Sequence, residues 1–103
     1  MPTKSKSRTT TTTGKLVTVR AVQPGNILRH DVLDPLGLTQ TAAATRLRVP
    51  VQTVNQIVRG KRAISAEMAL KLERAFEVSA EFWLRLQSDW DLQQARERAS
   101  QAA

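Results

Sequence analysis

The sequence predicts an all-α fold: five short helices bundled over residues 23–99, after a disordered basic tail and short extended arm at 1–22 and before a C-terminal end at 100–103. Three observations predict it. From Gln23 onward apolar residues recur every three to four positions, the spacing that lines one face of a helix. Thr39, Ser65 and Ser79 stand where helix caps are needed, Pro24 and Pro50 where helices open, and Gly37 and Gly60 where they close. The intervals between these runs are short, which suits a bundle. At 103 residues the chain has room for one small domain and a tail.

Residues 1–14, MPTKSKSRTTTTTG, contain almost nothing apolar to offset the entropy of ordering them, so a disordered tail is expected. Such a tail is either a basic arm that adds phosphate contacts or a solubilising extension. Residues 15–22, KLVTVRAV, alternate apolar and polar, as a short strand or an extended arm does. The first helix is expected from Pro24 to about Leu33, with Ile27, Leu28, Val32 and Leu33 inward and Pro35 and Gly37 ending it. A second runs from Thr39, whose hydroxyl can cap the free amides of the first turn, to about Leu47. A tight turn at Arg48 and Val49 leads to a third helix, opened by Pro50, extending through Val58 and closed by Gly60. Ser65 caps a fourth helix to about Phe76, with Ala69, Leu72, Ala75 and Phe76 at helical spacing. Ser79 caps a fifth to about Ala99, carrying Phe82, Trp83, Leu86 and Trp90. The two tryptophans suit either the core or a protein interface.

The formal charge of +7 and pI near 11.1 point to a polyanionic partner. Residues 40–62 hold Arg46, Arg48, Arg59, Lys61 and Arg62 with no Asp or Glu, whereas acids outnumber bases over 65–97. With no cysteine, disulfides and thiolate metal sites are excluded, and a reducing compartment fits. There is no apolar run near 18 residues, and the basic N-terminus lacks the apolar stretch of a signal peptide, so a cytoplasmic protein without membrane contact is expected. His30 is the only histidine and has no cysteine partner; a helix-surface role is expected, with no metal. No glycine-rich phosphate loop and no acid pair backed by a histidine is present, so neither an enzyme nor a cofactor is expected.

Residues 39–59 place two short helices about three residues apart, the spacing of a helix-turn-helix, whose second helix is exposed. Ala43 and Ala44 fall where the helices cross, and Leu47, Val49, Val54 and Ile57 supply an apolar seam. Gln52, Thr53, Asn55, Gln56 and Arg59 are left for the outer face of the third helix. Short amide and hydroxyl side chains there suit the major groove: Asn and Gln can bond bidentately to adenine, and Thr can meet the thymine methyl. Gln40, at the start of the second helix, can join that helix's amide dipoles on a phosphate. Arg59, Lys61 and Arg62 form a basic cluster suited to the same backbone.

The segments QPGNILRHDVLDPLGLTQ, VNQIVRGKRAISAEMALKLERAF and SAEFWLRLQSDWDL resemble the XRE-type, lambda-repressor-like helix-turn-helix domain and, more closely, its HigA/VapI antitoxin family, over about Gln23 to Ala95. The resemblance implies an antitoxin of a type II toxin-antitoxin module. Such a protein binds double-stranded operator DNA as a homodimer, represses its own operon and neutralises a cognate HigB/RelE-like mRNA-cleaving toxin. By position it implies base reading by Gln52, Thr53, Asn55 and Gln56, and phosphate contact by Gln40, Arg59, Lys61 and Arg62. The alternative is a free-standing XRE-type regulator without a toxin; a third is a protein-binding module that has lost DNA reading. The sequence departs from the family pattern twice. Arg48 replaces the usual turn glycine, which makes a left-handed turn costlier, and Val51 replaces a polar residue at the start of the recognition helix. A dimer is also expected because one short helix reads few bases. The acidic last third could meet a basic toxin.

Overall fold

The computed structural model describes residues 20–102; the expected tail at 1–14 and residues 15–19 of the expected strand or extended arm lie outside them. Among the described residues there are five successive helices and no strand. Helix α1 covers residues 24–36: α-helical at Pro24–Ile27, π-helical at Leu28–Leu33 and α-helical again at Asp34–Leu36. It is followed by α2 (Gln40–Leu47), α3 (Val51–Val58), α4 (Ala66–Phe76) and α5 (Ala80–Ala102).

Helix α1 passes through Pro35 instead of stopping near Leu33. A proline inside a helix lacks a donor and crowds the carbonyl four residues back. Here the turn before it is widened, with the Asp34 N–H reaching the Arg29 carbonyl five residues back, the pattern of a π-bulge. Termination falls at Gly37, whose φ of 66° is left-handed; Gly37 N–H donates to Asp34 O at 3.0 Å and Leu38 N–H to Leu33 O at 2.9 Å.

The expected caps form. Thr39 Oγ1 accepts from Ala42 N–H at 3.0 Å, Ser65 Oγ from Met68 N–H at 3.1 Å, and Ser79 Oγ from Phe82 N–H at 3.1 Å. A further cap comes from Gln23, whose Oε1 accepts from Asn26 N–H at 3.0 Å at the start of α1.

The core gathers Leu28, Val32 and Leu33 of α1, Ala43, Ala44 and Leu47 of α2, and Val54, Ile57 and Val58 of α3 against Ile64, Met68, Ala69, Leu72 and Trp83. Trp83 is fully buried, whereas Trp90 is half-buried and Phe82, edge-on to Trp83 at 5.7 Å, is 41 % exposed. Buried Gln87 joins the loop before α4 to α5: its Oε1 accepts from Ile64 N–H at 2.8 Å and its Nε2 donates to Asp91 at 2.9 Å. Residues 20–22 form no strand and lie against α5, Ala21 N–H donating to Gln93 Oε1 at 2.7 Å and Arg20 pairing with Glu97 at 3.2 Å. No helix among the described residues is long and apolar enough to cross a membrane.

Candidate nucleic-acid interface

The turn between α2 and α3 is made by Arg48 in the left-handed region, at φ 60° and ψ 46°. Val49 N–H donates to Ala44 O at 3.1 Å and Arg48 N–H to Thr45 O at 3.2 Å, so the turn satisfies carbonyls that the end of α2 would leave free. The strain expected for a non-glycine residue there is therefore present. Ala43 and Ala44 are buried beneath it, and their small side chains let α3 approach.

Helix α3 divides cleanly. Val54, Ile57 and Val58 are buried, while Gln52 is exposed and Thr53, Asn55 and Gln56 are half-buried on the other side. Val51 is 39 % exposed, placing an apolar group at the edge of the polar face. The helix is set against α1 at Gly25: a Cβ there would overlap the Ile57 carbonyl oxygen, so only glycine permits this approach. Gly60, at φ 75°, closes α3, with Gly60 N–H donating to Ile57 O at 3.0 Å and Lys61 N–H to Gln56 O at 2.7 Å.

All eight residues expected to contact DNA lie on α3, at the start of α2 or on the loop after α3. Two pairs of them are joined directly. Asn55 Nδ2 donates to Gln40 Oε1 at 3.0 Å, tying the start of α2 to the middle of α3. Arg62 Nε donates to Gln56 Oε1 at 2.8 Å. Arg59 and Lys61 are exposed, and neither forms an ion pair with a described residue.

Sequence reasoning missed Gln23, which caps α1 while its amide lies against the Gly60 backbone, joining the entry of α1 to the exit of α3. Glutamine is not among the favoured capping residues, so only its place before Pro-Gly hinted at this. His30 is exposed, with Nδ1 3.4 Å from the Asp34 carboxylate one turn on. No group of three or more His, Cys, Asp or Glu able to hold a metal is assembled among the described residues.

Comparison with known proteins agrees with this geometry. A family model described as Helix-turn-helix matches residues 30–83. Virulence-associated protein I of Dichelobacter nodosus is 43 % identical over 77 residues, covering 75 % of this chain and 71 % of that protein. Antitoxin HigA-1 of Vibrio cholerae is 34 % identical over 84 residues, covering 82 % and 79 % of the two chains. The structure of Pseudomonas aeruginosa antitoxin HigA with the higBA promoter superposes with a TM-score of 0.76 at 42 % identity, covering 81 % of this chain and 90 % of that one. The chain belongs to the XRE-type helix-turn-helix family and, within it, to the HigA/VapI antitoxins.

Proposed function

We propose that this protein binds operator DNA as a dimer through its helix-turn-helix, represses its own operon and neutralises a RelE/HigB-like mRNA-cleaving toxin. The observation that carries the reading is the outer face of α3, where Gln52, Thr53, Asn55 and Gln56 stand opposite a buried apolar face and run into the cationic loop of Arg59, Lys61 and Arg62. A buried inner face holds the helix rigid, and amide and hydroxyl groups outside it match the donors and acceptors of the major groove. Arg59 and Lys61 supply charge for the flanking phosphates. The half-buried Asn55, steadied by Gln40, has its amide held in one orientation before DNA arrives, which lowers the entropy lost on binding.

Dimerisation follows from reach: α3 has eight residues and spans a few base pairs, so useful specificity needs two copies about one DNA turn apart. Toxin binding is supported by membership of an antitoxin family and by the acidic balance of residues 65–97.

The test is a titration of the purified protein against the DNA upstream of its own gene, at several salt concentrations and beside a scrambled duplex, followed by co-expression with the product of the adjacent gene. Selective binding with two protomers per site, and relief of translation arrest, is the expected result. Equal, salt-sensitive binding to both duplexes would overturn the DNA-reading part. Selective binding beside a neighbour that does not arrest translation would leave a free-standing regulator.

A further inference from the structure

We infer that Arg62 is a specificity-determining residue: by occupying the Gln56 side-chain oxygen it turns Gln56 into a hydrogen-bond donor toward DNA and directs it to guanine instead of adenine. This rests on the reading of α3 as the base-reading helix. Gly60 reverses the chain, so that Lys61 N–H donates to the Gln56 carbonyl at 2.7 Å and Arg62 Nε donates to Gln56 Oε1 at 2.8 Å. Gln56 is thereby held twice by the loop that follows it.

The chemistry of the base edges makes this consequential. A free glutamine reads adenine through both ends of its amide, accepting from N6–H and donating to N7. With Oε1 engaged by a guanidinium, the accepting end is committed and carries a positive neighbour that disfavours a second donor. The two N–H groups of Nε2 remain, and guanine is the base that presents two major-groove acceptors, N7 and O6. Asn55 is a contrast on the same helix: its partner Gln40 takes an N–H of Nδ2 and leaves Oδ1 free, so Asn55 keeps both an acceptor and a donor and can still read adenine. The two amides thus present different faces although their residue types alone suggest the same reading. Arg62, whose remaining N–H groups are free to meet a phosphate, acts on the base through Gln56 and is a positioning residue.

The experiment is selection of bound half-sites from a randomised duplex pool by the full-length wild type, Gln56→Ala, Arg62→Ala and the double variant, with a salt titration for each. Gln56→Ala identifies the base position that Gln56 reads, because preference there flattens. Arg62 is exposed, so its removal should leave the melting temperature unchanged. The expected result is guanine at that position in the wild type, a shift toward adenine of about tenfold in Arg62→Ala, and in the double variant the same flat preference as in Gln56→Ala, since Arg62 then has no glutamine to act through. Uniform weakening across all bases in Arg62→Ala, with a salt slope shallower by about 0.9 and unchanged preference, would make Arg62 a phosphate anchor only and overturn the inference. So would a wild type that selects adenine at the Gln56 position. A wild type with no preference anywhere would instead remove the base-reading assignment of α3 itself.

Discussion

Adding a single methyl group at Gly25 should destabilise the protein by about 1–3 kcal/mol, although alanine is the better helix former. The Cβ would overlap the Ile57 carbonyl oxygen, and would come within 2.8 Å of the Ile57 carbonyl carbon and 2.9 Å of Gln23 Oε1. Two of these three obstacles are backbone atoms of α3 and cannot swing aside as a side chain can. Helix α1 must therefore move away from α3, loosening a core in which Leu28 is 0 % and Ile57 1 % exposed. Overpacking of this kind costs typically about 1–3 kcal/mol and occasionally more. The opposing gain from replacing a helical glycine is at most about 1 kcal/mol, and less in a first turn. Because the clash is with backbone, the overpacking cost should reach or exceed the top of its range and leave a net loss near 2 kcal/mol, roughly 10 °C in melting temperature for a domain of this size. Thermal and urea unfolding followed by far-UV circular dichroism would measure it, with Asn26→Ala, exposed in the same turn, as control. If Gly25→Ala melted at or above the wild type, helix propensity would have outweighed packing and the close α1–α3 approach would be wrong.

Arg48→Gly should raise stability by about 0.5–1 kcal/mol, since Arg48 holds a left-handed conformation at φ 60°; a chemical-denaturation midpoint that stays level or falls would show the turn to be unstrained. Gln87→Leu should cost about 1–3 kcal/mol by leaving the Ile64 N–H without its acceptor, read as faster hydrogen exchange at that amide together with a lower melting temperature. On the preferred DNA site, Asn55→Ala should lose about 1–3 kcal/mol and relax the choice of base, measured by fluorescence anisotropy against single-base variants. Lys61→Ala should weaken every duplex alike and make the salt slope shallower by about 0.9, the signature of a lost phosphate contact.

The helices were legible because two independent signals agree in them: apolar spacing, and capping residues whose side chains act over three positions. Thr39, Ser65 and Ser79 all cap where expected because a cap is a local bond. Pro35 misled for the complementary reason. It forbids a regular helix, but a preceding π-helical turn can absorb it, and whether that happens depends on packing of Val32 and Leu33 across the core. Gln87 gave no signal: a glutamine on a helix reads as surface until the Ile64 amide is known to lie opposite. Phe82 likewise shares the apolar pattern of α5, yet Trp83 beside it fills the core and leaves Phe82 outward. Within the candidate site, residue types and sides of α3 could be read from sequence spacing. The hydrogen bonds between Gln40 and Asn55, and between Arg62 and Gln56, could not, because they depend on the crossing of α2 with α3 and on the reversal at Gly60.

That reversal links stability to recognition. The Ile57 carbonyl that bars a side chain at Gly25 is the one that accepts the Gly60 N–H, and the next bond in the same motif runs from Lys61 N–H to the Gln56 carbonyl. Gln23 closes the circuit, capping α1 with its oxygen while its amide nitrogen packs on Gly60. A displacement of α1 from α3 therefore reaches Gln56 and Arg62 through three consecutive backbone contacts, with no side chain of the outer face altered. Gly25→Ala should accordingly weaken selective DNA binding more than Asn26→Ala does at a temperature where both variants remain folded. Equal affinities would mean that the turn moves with α3 as one body, and that the contact at Gly25 sets stability alone.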